Sequence, residues 1–156
     1  MRRLWIIAAA TFALDQITKL LVVQVAGLIS RGTIDVFAPY VVFRMVWNRG
    51  VNFGLMAGDG ALTKWILIGV ALAISGWVLL WMRRERPNRW AMVSAGLLIG
   101  GALGNVVDRL IYGAVADFLN MSCCGLENPY SFNVADISIF AGALGLIVFT
   151  GRNKTA

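Results

Sequence analysis

The sequence has no histidine, two cysteines and three prolines, and only 14% of its 156 residues are charged. Without histidine, the usual serine and cysteine triads lack their base and a zinc site lacks its common ligand. Cys123 and Cys124 are adjacent, so a disulfide between them would be strained. We interpret both as loop residues. No phosphate-binding glycine motif is present, and we predict neither a metal nor a cofactor.

Apolar residues dominate what remains, at 59% of the chain with a mean hydropathy of +0.75. This composition is typical of an integral membrane protein. A membrane-crossing helix needs about 20 mainly apolar residues, and four stretches qualify, at about 4–28, 61–82, 90–107 and 132–150. We therefore predict one membrane-embedded domain, residues 1–156, with an all-α core of four transmembrane helices. The first stretch is long enough to span, so we do not interpret it as a cleaved signal peptide.

Charge distribution predicts the orientation of these helices. Eight of the fourteen basic residues fall on the side shared by both termini and the loop between the second and third spans: Arg2, Arg3, Arg83, Arg84, Arg86, Arg89, Arg152 and Lys154. By the positive-inside rule that side is cytoplasmic. Six of the eight acidic residues fall on the opposite side. The net charge of +6 thus reports topology, and we predict no nucleic-acid partner.

Residues 31–60 carry a different pattern, with shorter apolar runs separated by glycine and proline. Residues 40–47 are rich in β-branched and aromatic side chains, which favours a strand. Asn48-Arg49-Gly50 follows as a turn signal. We predict a small β element on the outer membrane surface, with an ordinary loop as the alternative.

Ionisable residues inside the first apolar stretch need a separate explanation. Asp15 and Lys19 are four residues apart, and buried charges in a membrane are functional candidates by default. The alternative is a helix-surface ion pair whose lysine extends outward to the interface. The residues alone leave both interpretations open.

Polar residues also gather at the outer ends of the last two spans. In the third span, Gly96, Gly100 and Gly104 favour close helix packing, and Asn105, Asp108 and Arg109 share one helix face. The helix is predicted to end at Gly113, leaving Asp117 just beyond it. An outer loop region, 118–132, then leads to Asn133 and Asp136, which have the spacing of a helix cap.

Asp117 and Asp136 would meet at this interface, where two carboxylates cannot both ionise easily. Such a pair titrates as a unit and suits peptide hydrolysis: one aspartate takes a proton from water and the other donates one to the substrate. Asparagines nearby can orient substrate amides. Arg109 can pair with Asp108 or with a carboxylate further along the chain, and can also hold a carbonyl or a lipid headgroup.

Five segments carry a family resemblance: DQITK (15–19), NRGVNFG (48–54), GNVVDR (104–109), VADF (115–118) and FNVAD (132–136). In order and position they resemble the motifs of the lipoprotein signal peptidases, signal peptidase II. The resemblance covers nearly the whole chain, with two departures. The second motif has Val51, Asn52 and Gly54 where the family often has small residues and a serine, and the loop 120–131 matches no family pattern that we recognise. It implies a bacterial aspartic endopeptidase of the cytoplasmic membrane that removes the signal peptide of a prolipoprotein just before its diacylglyceryl-modified cysteine.

The resemblance also implies roles for individual residues. Asp117 and Asp136 would be the catalytic pair, at the outer face of the membrane. Supporting or substrate-binding positions would be Asn48, Gly50, Asn105, Arg109, Asn133, Asp15, Lys19 and Asp108. Implied partners are prolipoprotein substrates, membrane lipid and globomycin-type inhibitors, and we expect a monomer.

Two other classes of function remain to be weighed against the peptidase. A small ion- or proton-conducting transport protein would use intramembrane Asp and Lys as relay groups. A relay should distribute ionisable groups through the membrane, whereas here all but Asp15 and Lys19 cluster at one interface. A purely structural subunit would not explain why amides, an arginine and several aspartates converge there.

Overall fold

Four long apolar helices form the body of the protein. The structure is a computed structural model that describes residues 1–50, 60–123 and 128–151. The helices are α1 (Arg2–Lys19), which continues as a π-helical segment (Leu20–Val25), α3 (Gly60–Glu85), α4 (Arg89–Tyr112) and α5 (Val134–Gly151), and a short α2 covers Leu28–Arg31. Each of these four helices is long and apolar enough to span a membrane, when α1 is counted together with its π-helical segment. The predicted four-span core is therefore confirmed.

The observed helix ends refine the predicted spans. The third helix extends to Tyr112, beyond the predicted span of 90–107, and includes Asp108 and Arg109, as their predicted shared helix face requires. Gly113 ends α4 as predicted, with a left-handed φ of 74° that glycine adopts without strain. At the other end of α4, the Asn88 side chain accepts hydrogen bonds from the backbone N–H groups of Trp90 and Ala91. These contacts fix where the helix begins.

α4 is the central helix of the bundle, with α1, α3 and α5 packed around it. The three glycines at four-residue spacing face α1: an added Cβ would lie 2.7 Å from Leu4 O at Gly96 and 2.5 Å from Ala8 O at Gly100. Gly101 meets α5 in the same way, 2.5 Å from Ala135 O. Close packing at these positions requires the missing side chain, which confirms the predicted packing role.

A three-stranded antiparallel sheet lies beside the helices, in the order β1 (Thr33–Phe37), β2 (Val41–Asn48) and β3 (Val115–Met121). β2 confirms the strand predicted over residues 40–47. β3 was not predicted, and its residues 118–121 had been assigned to an outer loop. The strand pairs with β2, with Val42 opposite Asn120 and Trp47 opposite Ala116. Its residues are mostly buried, because Val23, Leu28, Ala116 and Phe118 form an apolar cluster beneath the sheet.

Some predicted features fall partly outside the described residues. These are the second half of the β element, including Asn52 and Gly54, and Cys124 in the loop 120–131. Cys123 is disulfide-bonded, which the interpretation as a simple loop residue did not include. The following segment is attached to β3 by the Asn120 amide, which donates hydrogen bonds to the carbonyl oxygens of Asn128 and Tyr130 at 2.8 and 2.9 Å.

Candidate active site

Asp117 and Asp136 are brought to one site by two different elements. Asp117 is the third residue of β3, and its side chain is buried, with 2% of the residue exposed. Asp136 lies in the first turn of α5 and is half-buried. The polar side chains between them come from α4 and from Asn133, which directly precedes α5.

Asn133 links the two aspartates. Its Nδ2 donates to Asp117 Oδ1 at 2.7 Å, and its Oδ1 accepts from the backbone N–H of Asp136 at 2.9 Å. Asp136 Oδ2 accepts in return from the Asn133 N–H at 3.4 Å. The predicted helix cap is therefore present, and the same asparagine also binds the other carboxylate. Asn133 therefore caps α5 and also connects the two aspartates, and the two roles do not exclude each other.

Asn105 of α4 completes the link. Its Nδ2 donates to Asp136 Oδ1 at 2.9 Å, and its Oδ1 accepts from Asn133 Nδ2 at 3.3 Å. Both asparagines are buried. Each asparagine donates through Nδ2 to one aspartate carboxylate and accepts through Oδ1 from a neighbouring N–H group. The two carboxylates are therefore held by neutral side chains that add no charge.

Asn48 approaches Asp117 from the end of β2. Its Nδ2 donates to Asp117 Oδ2 at 3.0 Å, while its Oδ1 accepts from the Gly50 N–H at 2.9 Å. This confirms the turn predicted at residues 48–50. Gly50 has a φ of 101°, and an added Cβ would lie 2.5 Å from Leu67 Cδ1 of α3. Glycine is therefore required at this position, and through its N–H it orders the turn that presents Asn48.

The surroundings raise the pKa of Asp117 from 3.8 to about 7. Burial is the largest cause, since it disfavours the charged form, and the nearby Asp136 carboxylate adds to it. Hydrogen bonds from Asn48 and Asn133 and the charge of Lys19 oppose the rise. Asp117 can therefore hold or release its proton near neutral pH, as acid–base chemistry requires.

Arg109 lies beside the aspartates without forming a close ion pair with them. Its Nη1 donates to the Asn105 carbonyl at 3.3 Å, and Asp136 and Asp117 are near enough to attract its charge. The predicted option of pairing with Asp108 is wrong, because Asp108 pairs with Lys19 instead, at 2.8 Å. Since Arg109 has five N–H donors and one of its nitrogens binds the Asn105 carbonyl, the described contacts leave guanidinium donors available for a carbonyl oxygen or an anion.

A cleft of about 410 Å³ opens beside Arg109, between α3, α4 and α5. Asn105 and Arg109 are its polar lining residues, and the others are apolar: Leu67, Val70, Ala71, Ile74, Leu98, Ala102, Ile139 and Ala143. α3 therefore forms one wall of this cleft. An apolar groove with a few convergent polar groups at one end is typical of a ligand site.

Asp15 and Lys19 lie behind the two aspartates in the protein interior. Their Oδ2 and Nζ atoms are 2.8 Å apart, and Lys19 is only 6% exposed. The predicted ion pair is confirmed, but its lysine does not extend outward to the interface. Gln16 also joins this group, with Nε2 3.1 Å from Asp15 Oδ2 and 3.2 Å from Asp108 Oδ1. We had not selected Gln16 as a site residue, although its position between the two ionisable residues was a signal for it.

Within the described ranges, no group of three or more His, Cys, Asp or Glu side chains has the arrangement of a metal site. A buried polar cluster at one end of a four-helix membrane bundle, with an apolar cleft beside it, defines a membrane protein with a candidate hydrolytic site.

Comparison with known proteins places this architecture in a family. A family model described as signal peptidase (SPase) II matches residues 7–151. A lipoprotein signal peptidase of Methylobacterium sp. (strain 4-46) is 46% identical over 143 residues, covering 92% of this chain and 85% of the relative. The lipoprotein signal peptidase of Aeromonas hydrophila subsp. hydrophila is 38% identical over 152 residues, 97% and 88% of the two chains.

The fold has a counterpart among solved structures. A bacterial membrane enzyme determined by the in meso method at 1.9 Å resolution matches with a TM-score of 0.78 at 25% identity, covering 97% of this chain and 92% of that one. The chain belongs to the signal peptidase II family, and is accordingly a peptidase of the membrane.

Proposed function

We propose that this protein is an aspartic endopeptidase that removes the signal peptide of prolipoproteins immediately before the diacylglyceryl-modified cysteine. The observation that carries the aspartic mechanism is the pairing of Asp117 with Asp136 through Asn133, with a pKa of about 7 at Asp117. The names of the curated relatives support the substrate class. Ion conduction gains no support from these relatives.

The reaction needs one proton shared between the two aspartates. The ionised aspartate takes a proton from a water molecule as the water oxygen bonds to the scissile carbonyl carbon. The protonated aspartate gives its proton to the carbonyl oxygen, which receives the π electron pair. The tetrahedral intermediate then collapses: the C–N bond breaks, the nitrogen takes a proton from the first aspartate, and a hydroxyl proton returns to the second. The products are an acid and an amine, and the dyad is restored.

The supporting residues have roles in this scheme that follow from their contacts. Asn133 and Asn105 hold the two carboxylates in register, and Asn48 stabilises the ionised form of Asp117. Arg109 stands at the polar end of the cleft, where its free donors can hold a substrate carbonyl oxygen. The apolar walls of the cleft suit the hydrophobic residues of a signal peptide.

The membrane setting fits the same substrate. With both termini in the cytoplasm, the two aspartates lie at the outer face of the cytoplasmic membrane, where a diacylglyceryl chain anchored in the outer leaflet can present the peptide bond. A disulfide at Cys123 agrees with an oxidising compartment on that side. We propose a monomeric enzyme in contact with membrane lipid and inhibited by globomycin-type peptides, which would occupy the cleft.

The test is the cleavage of a diacylated precursor, followed by gel shift, with Asp117→Asn and Asp136→Asn variants. Each should lose at least about 10²-fold in rate, because general acid–base groups contribute about 10²–10⁴-fold each, while the protein still accumulates in membranes. Asp35→Asn is the matched control, since Asp35 is an exposed carboxylate on β1. Turnover retained by either dyad variant would disprove the dyad.

A further inference from the structure

Three charged side chains lie in the interior behind the two aspartates. Lys19 Nζ is 2.8 Å from Asp15 Oδ2 and 2.8 Å from Asp108 Oδ2, joining α1 to α4. Exposure is 0% for Asp15, 1% for Asp108 and 6% for Lys19. Burying three charges is unfavourable unless each is paired and hydrogen-bonded, and anchoring two helices does not require ions. Their other contacts indicate what they do.

Each buried carboxylate also binds the backbone of an element that carries one aspartate of the dyad. Asp15 Oδ1 accepts from the N–H of Ala135 at 3.0 Å, and Ala135 directly precedes Asp136. Asp108 Oδ2 accepts from the N–H of Ala116 at 3.1 Å, and Ala116 directly precedes Asp117. The two contacts are equivalent: one carboxylate holds the start of α5 and the other holds β3.

We propose that Asp15, Lys19 and Asp108 form a positioning unit that sets the separation of Asp117 and Asp136 through the backbone. Lys19 links the unit because it binds both carboxylates. A shift of the Asp15 carboxylate moves Ala135, and a shift of the Asp108 carboxylate moves Ala116. The proposal rests on the proposed function of the dyad. These are positioning residues, since none of their described hydrogen bonds or ion pairs reaches Asp117 or Asp136 directly.

Asn105 provides a second connection from the unit to the dyad. Lys19 Nζ is 3.5 Å from Asn105 Oδ1, and the same amide donates to Asp136 through Nδ2. Gln16 ties the two carboxylates together on the other side, through its contacts with Asp15 and Asp108. The dyad is thus held from behind by side chains of α1 and α4, whereas the cleft opens between α3, α4 and α5.

Gly104 allows the unit to be tested without removing a charge. A Cβ added at Gly104 would lie 2.5 Å from Asp15 Oδ2. The Asp15 carboxylate must then move, and its hydrogen bond to the Ala135 N–H moves with it. Gly96 is the matched control: it faces the same helix two turns away, where an added Cβ meets the Leu4 carbonyl at 2.7 Å. Both changes perturb packing between α1 and α4, but only the first displaces Asp15.

The experiment measures kcat and KM on a diacylated precursor, together with thermal unfolding in detergent, for Gly104→Ala and Gly96→Ala. Gly104→Ala should lower kcat about 10²-fold, the effect of misplacing a catalytic group by about 1 Å. Its KM should stay within threefold of wild type, because the cleft is unchanged. Gly96→Ala should lower the unfolding temperature and leave kcat within about threefold.

A charge variant provides an independent measurement. Lys19→Met should lower kcat at least as much as Gly104→Ala, because it leaves two buried carboxylates unpaired. Adding Asp15→Asn removes one of those charges while Oδ1 can still accept from Ala135, so the double variant should recover kcat about tenfold. A role limited to fold stability would change the unfolding temperature without this recovery in kcat.

The outcomes separate this proposal from the proposed function. Wild-type kcat in Gly104→Ala, or equal losses of kcat in Gly104→Ala and Gly96→Ala, would overturn the positioning unit while leaving the dyad intact. Activity in Asp117→Asn would instead overturn the dyad itself. If Lys19→Met does not accumulate in membranes, Gly104→Ala decides the question, since it changes no charge.

Discussion

Replacing Asn48 by alanine is the most direct way to test the acid–base state of Asp117. Among the described residues, Asn48 and Asn133 donate side-chain hydrogen bonds to Asp117; the Asn48 bond is 3.0 Å long and favours the ionised carboxylate. The backbone of β2 and the Asn133 contact remain in the variant. Losing a donor to the charged form makes ionisation less favourable, so the pKa of Asp117 must rise above its value of about 7.

The magnitude follows from the type of hydrogen bond. A hydrogen bond to a charged group contributes about 1.5–3 kcal/mol, and Asn48 is exposed, so water replaces part of the lost interaction. The lower end of that range, about 1.5 kcal/mol, corresponds to an upward shift of roughly one pH unit. The limb of the pH profile that reports Asp117 should therefore move from near pH 7 to near pH 8. The direction is the same whether Asp117 acts as base or acid.

The assay is kcat/KM for a diacylated precursor measured from about pH 5 to pH 9, where perturbed carboxylates titrate. Asn88→Ala is the matched control, because it removes the same type of side chain at the N-cap of α4, the end of that helix away from Asn105 and Arg109. It loses the contacts to the Trp90 and Ala91 N–H groups and should lower stability by about 1 kcal/mol. Its pH profile should match wild type, since Asn88 is remote from the dyad.

A pH profile of Asn48→Ala that coincides with wild type, in a variant that folds, would refute this reasoning. It would mean that Asp117 does not control the measured limb or that the Asn48 contact does not stabilise its charge. A shift to lower pH would contradict the sign and show that burial of Asp117 had been relieved in the variant. An identical shift in Asn88→Ala would assign the effect to loss of stability.

Two further predictions concern the loop and the orientation. Replacing Cys123 and Cys124 by serine removes the disulfide at Cys123 but should leave activity largely intact, because the Asn120 amide still attaches the following segment to β3; a severe loss of cleavage would contradict this. A reporter fused after Met82 should indicate the cytoplasm, because Arg83 and Arg84 lie at that end of α3, and an external signal would reverse the assigned orientation.

Local patterns predicted much of the fold. Long apolar runs predicted the four spans, because a lipid environment requires every backbone polar group of such a run to be satisfied within a helix. β-branched residues predicted β2, and Gly113 predicted the end of α4. β3 was missed for a physical reason. The strand over residues 115–121 is short and buried on both faces, so its sequence lacks the alternation of apolar and polar residues that marks a half-buried strand. Its partner β2 lies some seventy residues earlier in the chain, so nothing in the local sequence indicates the pairing.

The candidate site, like the fold, could be predicted only in part from the sequence. Asp117 and Asp136 could be selected from the cost of placing two carboxylates at one interface and from the resemblance of their motifs. The alternatives at Asp15 and Lys19 could not be resolved, because an exposed helix pair and a buried one have the same spacing. The partner that decides it, Asp108, lies on another helix and is 2.8 Å from Lys19. Spacing along α4 suggested Arg109 as its partner instead.

The sequence by itself determined the membrane class, the number of spans, the segment that forms β2 and which polar residues are candidates, since these depend on composition and local periodicity. The tertiary structure decided how those residues connect. Asn133 serves both as a helix cap and as the bridge to Asp117, and Asp15 and Asp108 each hold the residue preceding a dyad aspartate. Contacts of this kind join residues far apart in the chain, and their geometry exists only once the helices and the sheet have packed.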